Sequence, residues 1–152
     1  MMNIKDFFKL SEGSWICQKT FYNLSNYKYT SFKDTICIKK LESINHLLNI
    51  EQNIIGESLI YEYQWKNFKK EPIIIIWNKN SLYSYQKNNG NLVKAKQFII
   101  SSNRINILLE QNNLKIEESI FFPTANLRLS TTIVKNQLEC LFISFSSEIK
   151  LN

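Results

Sequence analysis

"EESIFFPTANLRLSTT", residues 117–132, decides how the rest of the chain is read. Strand-forming residues flank Pro-Thr-Ala-Asn at 123–126, a cluster of turn formers, so the stretch predicts two short strands folded back on each other. With Pro123 to Ala125 as the loop, Phe122 faces Asn126 and Glu118 faces Ser130. Glu118 and Arg128 then become diagonal neighbours on one face. A loop one residue longer puts Glu117 there instead. The second strand shows Asn126, Arg128, Ser130 and Thr132 on one side and Leu127, Leu129 and Ile133 on the other.

Arg128 and Arg104 are the only two arginines in a chain that otherwise takes its positive charge from lysine. Arg104, at a strand start with Asn neighbours, reads as surface. For Arg128 one reading is a solvent-facing ion pair, which contributes little to stability. The other is a site for a ligand carboxylate, because a guanidinium offers a planar two-pronged donor that lysine does not replace.

Working outward, the chain reads as strands over 14–24, 31–41, 57–66, 72–78, 81–87, 92–99, 104–110, 114–122, 126–135 and 138–147. Asn-Asn-Gly at 88–90, Gln-Asn-Asn at 111–113 and Lys-Asn-Gln at 135–137 supply turn chemistry between them, and such short connections force neighbours to run antiparallel. Ahead of the strands, Asn3 with Asp6 three residues on caps a short helix whose apolar stripe is Ile4, Phe7 and Phe8, ended by Gly13. The longer connection 42–56 carries Ile44, Leu47, Leu48 and Ile50 at helical spacing and predicts a small helix over one end.

The expected class is therefore all-β: about ten antiparallel strands closed as an up-and-down barrel, since closure removes exposed edges and leaves room for a small molecule. Aromatics at 13%, with three Gly and two Pro in 152 residues, suit pleated sheet and a single domain spanning 1–152. Strand 57–66 puts Tyr61, Tyr63 and Trp65 on one face, and strand 81–87 does the same with Tyr83 and Tyr85. Such stripes line a core or, in a wide barrel, the wall of a ligand cavity.

The formal charge of +6 is spread over lysines from Lys5 to Lys150, with no run longer than Lys39-Lys40 and Lys69-Lys70, as on a solvated surface. A nucleic-acid-binding barrel would need basic and aromatic residues clustered on one exposed face, which the sequence does not show. Cys17, Cys37 and Cys140 are odd in number and have no paired spacing, so reduced thiols are expected rather than disulfides or a zinc site. The one histidine, His46, stands in a polar connection and offers no cysteine a base. The longest apolar run, 73–77, is too short to cross a bilayer, and no signal peptide or membrane insertion is expected. Abundant Ile, Lys and Asn, with Lys displacing Arg, point to an AT-biased genome such as an organelle's.

Four segments in order, "FFKLSEGSWICQKTFYNL" (7–24), "YEYQW" ending at Trp65, "EESIFFPTANLRLSTT" (117–132) and "SFSSEIK" (144–150), together resemble the S/U-type phycobiliprotein chromophore lyases, the CpcS/CpeS family. The resemblance implies a lipocalin-like barrel with an N-terminal helix. It also implies a lyase that binds an open-chain tetrapyrrole (bilin) such as phycocyanobilin or phycoerythrobilin as substrate, needs no other cofactor or metal, and joins the bilin by a thioether to a cysteine of a phycobiliprotein subunit. The nucleophile then belongs to the partner. Self-association and pairing with a paralogue are both open, and the composition places the protein in the plastid stroma. The runner-up reading is a non-catalytic carrier of a bilin or another small hydrophobic acid.

By the same resemblance Arg128 matches a pocket arginine, Glu118 a pocket glutamate and Trp65 a cavity tryptophan. Thr132 takes the place of a small hydroxyl residue and Ser130 that of a second arginine. Lys19 replaces the arginine of a Gln-Arg-Thr signature, and Tyr22-Asn23 replace residues that are often histidine. The expected roles are Glu118 as the catalytic acceptor of the bilin N–H groups and Arg128 as the clamp on a propionate. Tyr61, Tyr63 and Trp65 would stack on the conjugated plane, with Ser130 and Thr132 beside them.

Overall fold

Asn3 opens helix α1 (Ile4–Ser11) with a complete capping box: its side chain accepts from the Asp6 N–H, and the Asp6 carboxylate accepts from the Asn3 N–H. The helix buries Ile4, Phe7 and Phe8, and Gly13, at φ +124°, turns the chain into the sheet with a conformation few other residues adopt. The computed structural model describes residues 2–42, 58–67, 71–78, 80–86 and 90–152. The helix expected over 42–56 and His46 fall outside the described residues, apart from Glu42.

Eleven strands follow: β1 (Gly13–Asn23), β2 (Lys28–Lys40), β3 (Ser58–Trp65), β4 (Ile73–Asn78), β5 (Ser81–Gln86), β6 (Asn91–Lys94), β7 (Gln97–Ser101), β8 (Arg104–Gln111), β9 (Leu114–Thr124), β10 (Leu127–Lys135) and β11 (Cys140–Lys150). All are antiparallel in one curled sheet of order β6-β5-β4-β3-β2-β1-β11-β10-β9-β8-β7. The first and last strands pair with each other, so every strand lies beside its sequence neighbour except β6 and β7, which form the two edges. The up-and-down lipocalin-like barrel is therefore present, with one seam.

That seam splits the strand expected over 92–99. Consecutive residues bond to opposite edges: the Ala95 N–H donates to Leu82 of β5 and the Lys96 N–H to Leu108 of β8. A straight strand cannot serve both edges, so the chain steps across between Lys94 and Gln97. Turn chemistry sets the other connections. Asn112 and Asn113 both take positive φ, 52° and 64°, closing the β8–β9 hairpin, and the Asn136 side chain accepts from the N–H groups of Leu138 and Glu139.

The main core lies between α1 and the concave face of the sheet, around Phe7, Phe8, Trp15, Ile38, Ile105 and Phe122. A second cluster, Ile60, Ile74, Ile76 and Tyr85 with Tyr83 against it, sits on the opposite face of β3–β5. Tyr85 thus belongs to a separate apolar layer from Tyr61, Tyr63 and Trp65, and Tyr83 packs against that layer while also bordering the inside of the barrel. No helix among the described residues is long and apolar enough to cross a membrane.

Candidate functional site

One register detail shapes the site. Ser130 pairs with Ile120 and Thr132 with Glu118, while Leu127 pairs with Thr124. Phe122 and Pro123 therefore bulge opposite Arg128. Pro123 has no N–H to give the ladder, and the Phe122 N–H turns away to the Asn103 carbonyl. The expected pairing of Glu118 with Ser130 is corrected by two residues. Glu118 stays on the face of Arg128, since a shift of two preserves the face, but lies two cross-strand rows away.

The partner of Arg128 is instead Glu148, directly opposite it on β11. The Arg128 Nε donates to a Glu148 carboxylate oxygen, and the other oxygen accepts from the Ser146 hydroxyl, 3.1 Å away. The Cys17 thiol, 3.1 Å from the same hydroxyl, extends the chain to β1. The guanidinium carbon lies 5.2 Å from the Trp15 ring and 6.0 Å from the Tyr63 ring. Trp15 is itself fixed, its indole N–H donating to the Ser11 carbonyl at 2.8 Å.

Around this pair the barrel encloses a cavity of about 210 Å³ whose walls include Phe8, Tyr63, Trp65, Glu118, Arg128 and Glu148. The cross-strand registers arrange part of the wall in rows about 7 Å apart. Cys17, Glu148 and Arg128 make one row, Lys19, Ser146 and Ser130 the next, and Thr132 and Glu118 belong to the third. Hydroxyls and charge occupy this side, while Ile36, Ile73, Leu82 and Ile107 contribute apolar wall elsewhere. Such a surface suits a flat apolar molecule with polar edges.

The wall shifts its own titrations. Burial holds the Cys17 thiol above its ordinary range, with the Glu148 charge adding to the effect against the lowering from Ser146, Lys19 and Arg128. Burial likewise raises the Tyr63 phenol although Arg128 opposes it. Cys17 is thus a neutral thiol inside the barrel. Cys37 is exposed and Cys140 half-buried, and all three are unbonded.

Of the residues singled out from sequence, Arg128, Trp65, Tyr63, Ser130, Thr132 and Glu118 all meet on this cavity. Tyr61 lies apart: it stacks on Phe8 at 4.8 Å and donates its hydroxyl to Glu12 at 2.9 Å, under α1. Glu148, Ser146 and Lys19 line the cavity as well. Glu148 escapes a reading of the sequence because the last strand is expected to end at 147. Its alternation with Ser144 and Ser146 is the signal that could have found it.

No family model matches the chain. Individual relatives do. The chain is 31% identical over 170 residues to a chromophore lyase CpcS/CpeS of Trichodesmium erythraeum, covering 98% of each. It is 30% identical over 159 residues to the chromophore lyase CpcS/CpeS homolog of Porphyra purpurea, covering 99% of this chain and 100% of the relative. Among solved structures, the S-type phycobiliprotein lyase CpeS from Guillardia theta superimposes with a TM-score of 0.73 over 99% of this chain and 94% of that one, at 18% identity, a likeness of fold. With two relatives at or above 30% identity along nearly their whole lengths, the chain belongs to the CpcS/CpeS chromophore lyase family.

Proposed function

We propose that this enzyme binds an open-chain tetrapyrrole in its barrel and attaches it by a thioether to a cysteine of a phycobiliprotein subunit. The observation that carries the reading is the cavity itself. It is lined by aromatic and aliphatic side chains on one side and, on the other, by a polar wall holding a buried guanidinium, two carboxylates and a column of hydroxyls.

The chemistry needs little more than positioning. The acceptor's thiolate adds to the ethylidene carbon of the bilin end ring, forming the C–S bond, while the electron pair of the double bond moves into the ring system and takes up a proton. Glu118, on the wall, accepts hydrogen bonds from the pyrrole N–H groups and favours the protonated, more electrophilic bilin. Trp65 and Tyr63 stack on the conjugated plane and hold water away from the reactive carbon. Holding one face of the bilin outward sets the stereochemistry and supplies much of the rate gain. The nucleophile comes from the partner, and Cys17 stays a neutral spectator.

Phycocyanobilin and phycoerythrobilin are the proposed substrates, and the Porphyra relative supports work in the plastid stroma. Co-expression with bilin-synthesis enzymes and individual phycobiliprotein subunits, followed by zinc fluorescence on a denaturing gel, tests the reading. A lyase raises the yield of covalent adduct on one subunit above that of spontaneous attachment. Bilin bound without any gain in adduct would show a carrier instead.

A further inference from the structure

Arg128 reaches the cavity already neutralised. Its side chain and that of Glu148 are 4% and 6% exposed, and the pair is closed through Nε. The Arg128 Nη1 is a buried side-chain nitrogen that has no hydrogen-bond partner among the described residues. A buried donor left unmade is costly, so a ligand atom that satisfies it is favoured. A carboxylate there would put a second anion beside Glu148 around one cation in a buried site, where like charges repel strongly. A neutral acceptor, such as an amide-like carbonyl, satisfies Nη1 without that penalty.

Lys19 is the other cation on the wall. It stands one row away from Arg128 on the concave face, pairs with Ser146 across β1 and β11, and Ser130 follows on β10. It is half-buried, and no carboxylate of the described residues forms an ion pair with it. An anion beside this ammonium gains an uncompensated charge and neighbouring hydroxyl donors. An open-chain tetrapyrrole offers both chemistries, a lactam carbonyl on each end ring and carboxylates on the two inner rings.

We infer that the bilin lies with an end-ring lactam carbonyl on the Arg128 Nη1 and a propionate on Lys19. This rests on the bilin-lyase reading above. It gives Lys19 a ligand-binding role and moves the carboxylate away from Arg128, where the sequence alone places it.

The test uses the full chain, with phycocyanobilin and its dimethyl ester, whose propionates carry no charge, titrated by absorbance. Lys19→Gln should weaken binding of the diacid about tenfold and leave ester binding unchanged, the size of one charge-assisted hydrogen bond. Replacing Arg128 alone strands Glu148, so the double variant Arg128→Gln/Glu148→Gln is used, its fold checked by circular dichroism. It should weaken diacid and ester by the same factor. A diacid-selective loss in the double variant, or Lys19→Gln binding both forms like the parent, overturns the pose while leaving the lyase reading intact. Failure of the parent to bind either form overturns both. Lys19 is half-buried, so its variant tests the pose even if the double variant does not fold.

Discussion

Glu148 stands directly opposite Arg128 across β10 and β11, and the two form a buried ion pair against the rings of Trp15 and Tyr63. The pair links three strands at the wall of the cavity, since Ser146 and Cys17 carry its hydrogen bonding on to β1. Its charges are taken out of water together, so each is tolerable only while the other is present.

Removing one member should therefore cost far more than removing both. Glu148→Ala leaves a buried guanidinium unpaired and should lower stability by about 3–5 kcal/mol. The double variant Arg128→Met/Glu148→Leu should recover most of that loss. Urea unfolding followed by circular dichroism measures both, and equal losses in the single and double variants would refute the coupling.

Glu118 lies two rows from Arg128, and the proposed mechanism gives it a separate task. Glu118→Gln keeps shape and hydrogen-bonding capacity but loses the charge that favours a protonated bilin, so transfer should fall by about tenfold or more while bilin capture changes little. Absorbance titration reports capture, and zinc fluorescence of the acceptor subunit reports transfer. Parallel losses in the two assays would reassign Glu118 to binding.

Alkaline pH should destabilise the fold through its buried phenols. Tyr61 and Tyr63 both have pKa values raised above the ordinary 10.0, chiefly by burial, with the hydrogen bond to Glu12 adding to the effect at Tyr61. The raised folded values mean that the native state keeps these protons while the unfolded chain releases them. Stability is full below the unfolded pKa and falls as pH rises through 10.0 and beyond. Melting temperatures measured from mildly to strongly alkaline pH should drop at the upper end, and Tyr61→Phe should flatten the drop.

The thiols should separate by reactivity. Cys37 is exposed, whereas Cys17 is buried with its pKa raised by burial. A disulfide reagent at mildly alkaline pH should modify Cys37 quickly and leave Cys17 untouched until the protein unfolds. Peptide mapping after timed quenching identifies the order, and early loss of the Cys17 thiol would contradict its neutral, enclosed state. Bound bilin should protect Cys17 further, because the thiol lies on the cavity wall.

Much of the fold is legible residue by residue. The Asn3 and Asp6 capping box, the alternation of Tyr61, Tyr63 and Trp65, and the positive-φ turn at Asn112-Asn113 are local features whose physics acts within a few residues. The stretch 92–99 reads as one continuous strand because nothing in its own residues announces that its two halves join opposite edges of the sheet.

The sequence by itself determined a single antiparallel sheet with an N-terminal helix and put Arg128, Ser130 and Thr132 on one strand face, while the family resemblance added Glu118, Trp65, Tyr63 and Tyr61 to the same pocket, of which Tyr61 lies apart. The period of a strand assigns each side chain to a face regardless of register errors of two. Only the tertiary structure decided who pairs with whom on that face. A turn tighter than expected, pairing Thr124 with Leu127, slid Glu118 away from Arg128, and the bulge at Phe122 and Pro123 took back one residue and so kept it on the same face. The pairing of β10 with a β11 that runs on to Lys150 put Glu148 beside Arg128 instead. Cross-strand partnership depends on registers summed over several turns, and no local stretch contains that sum.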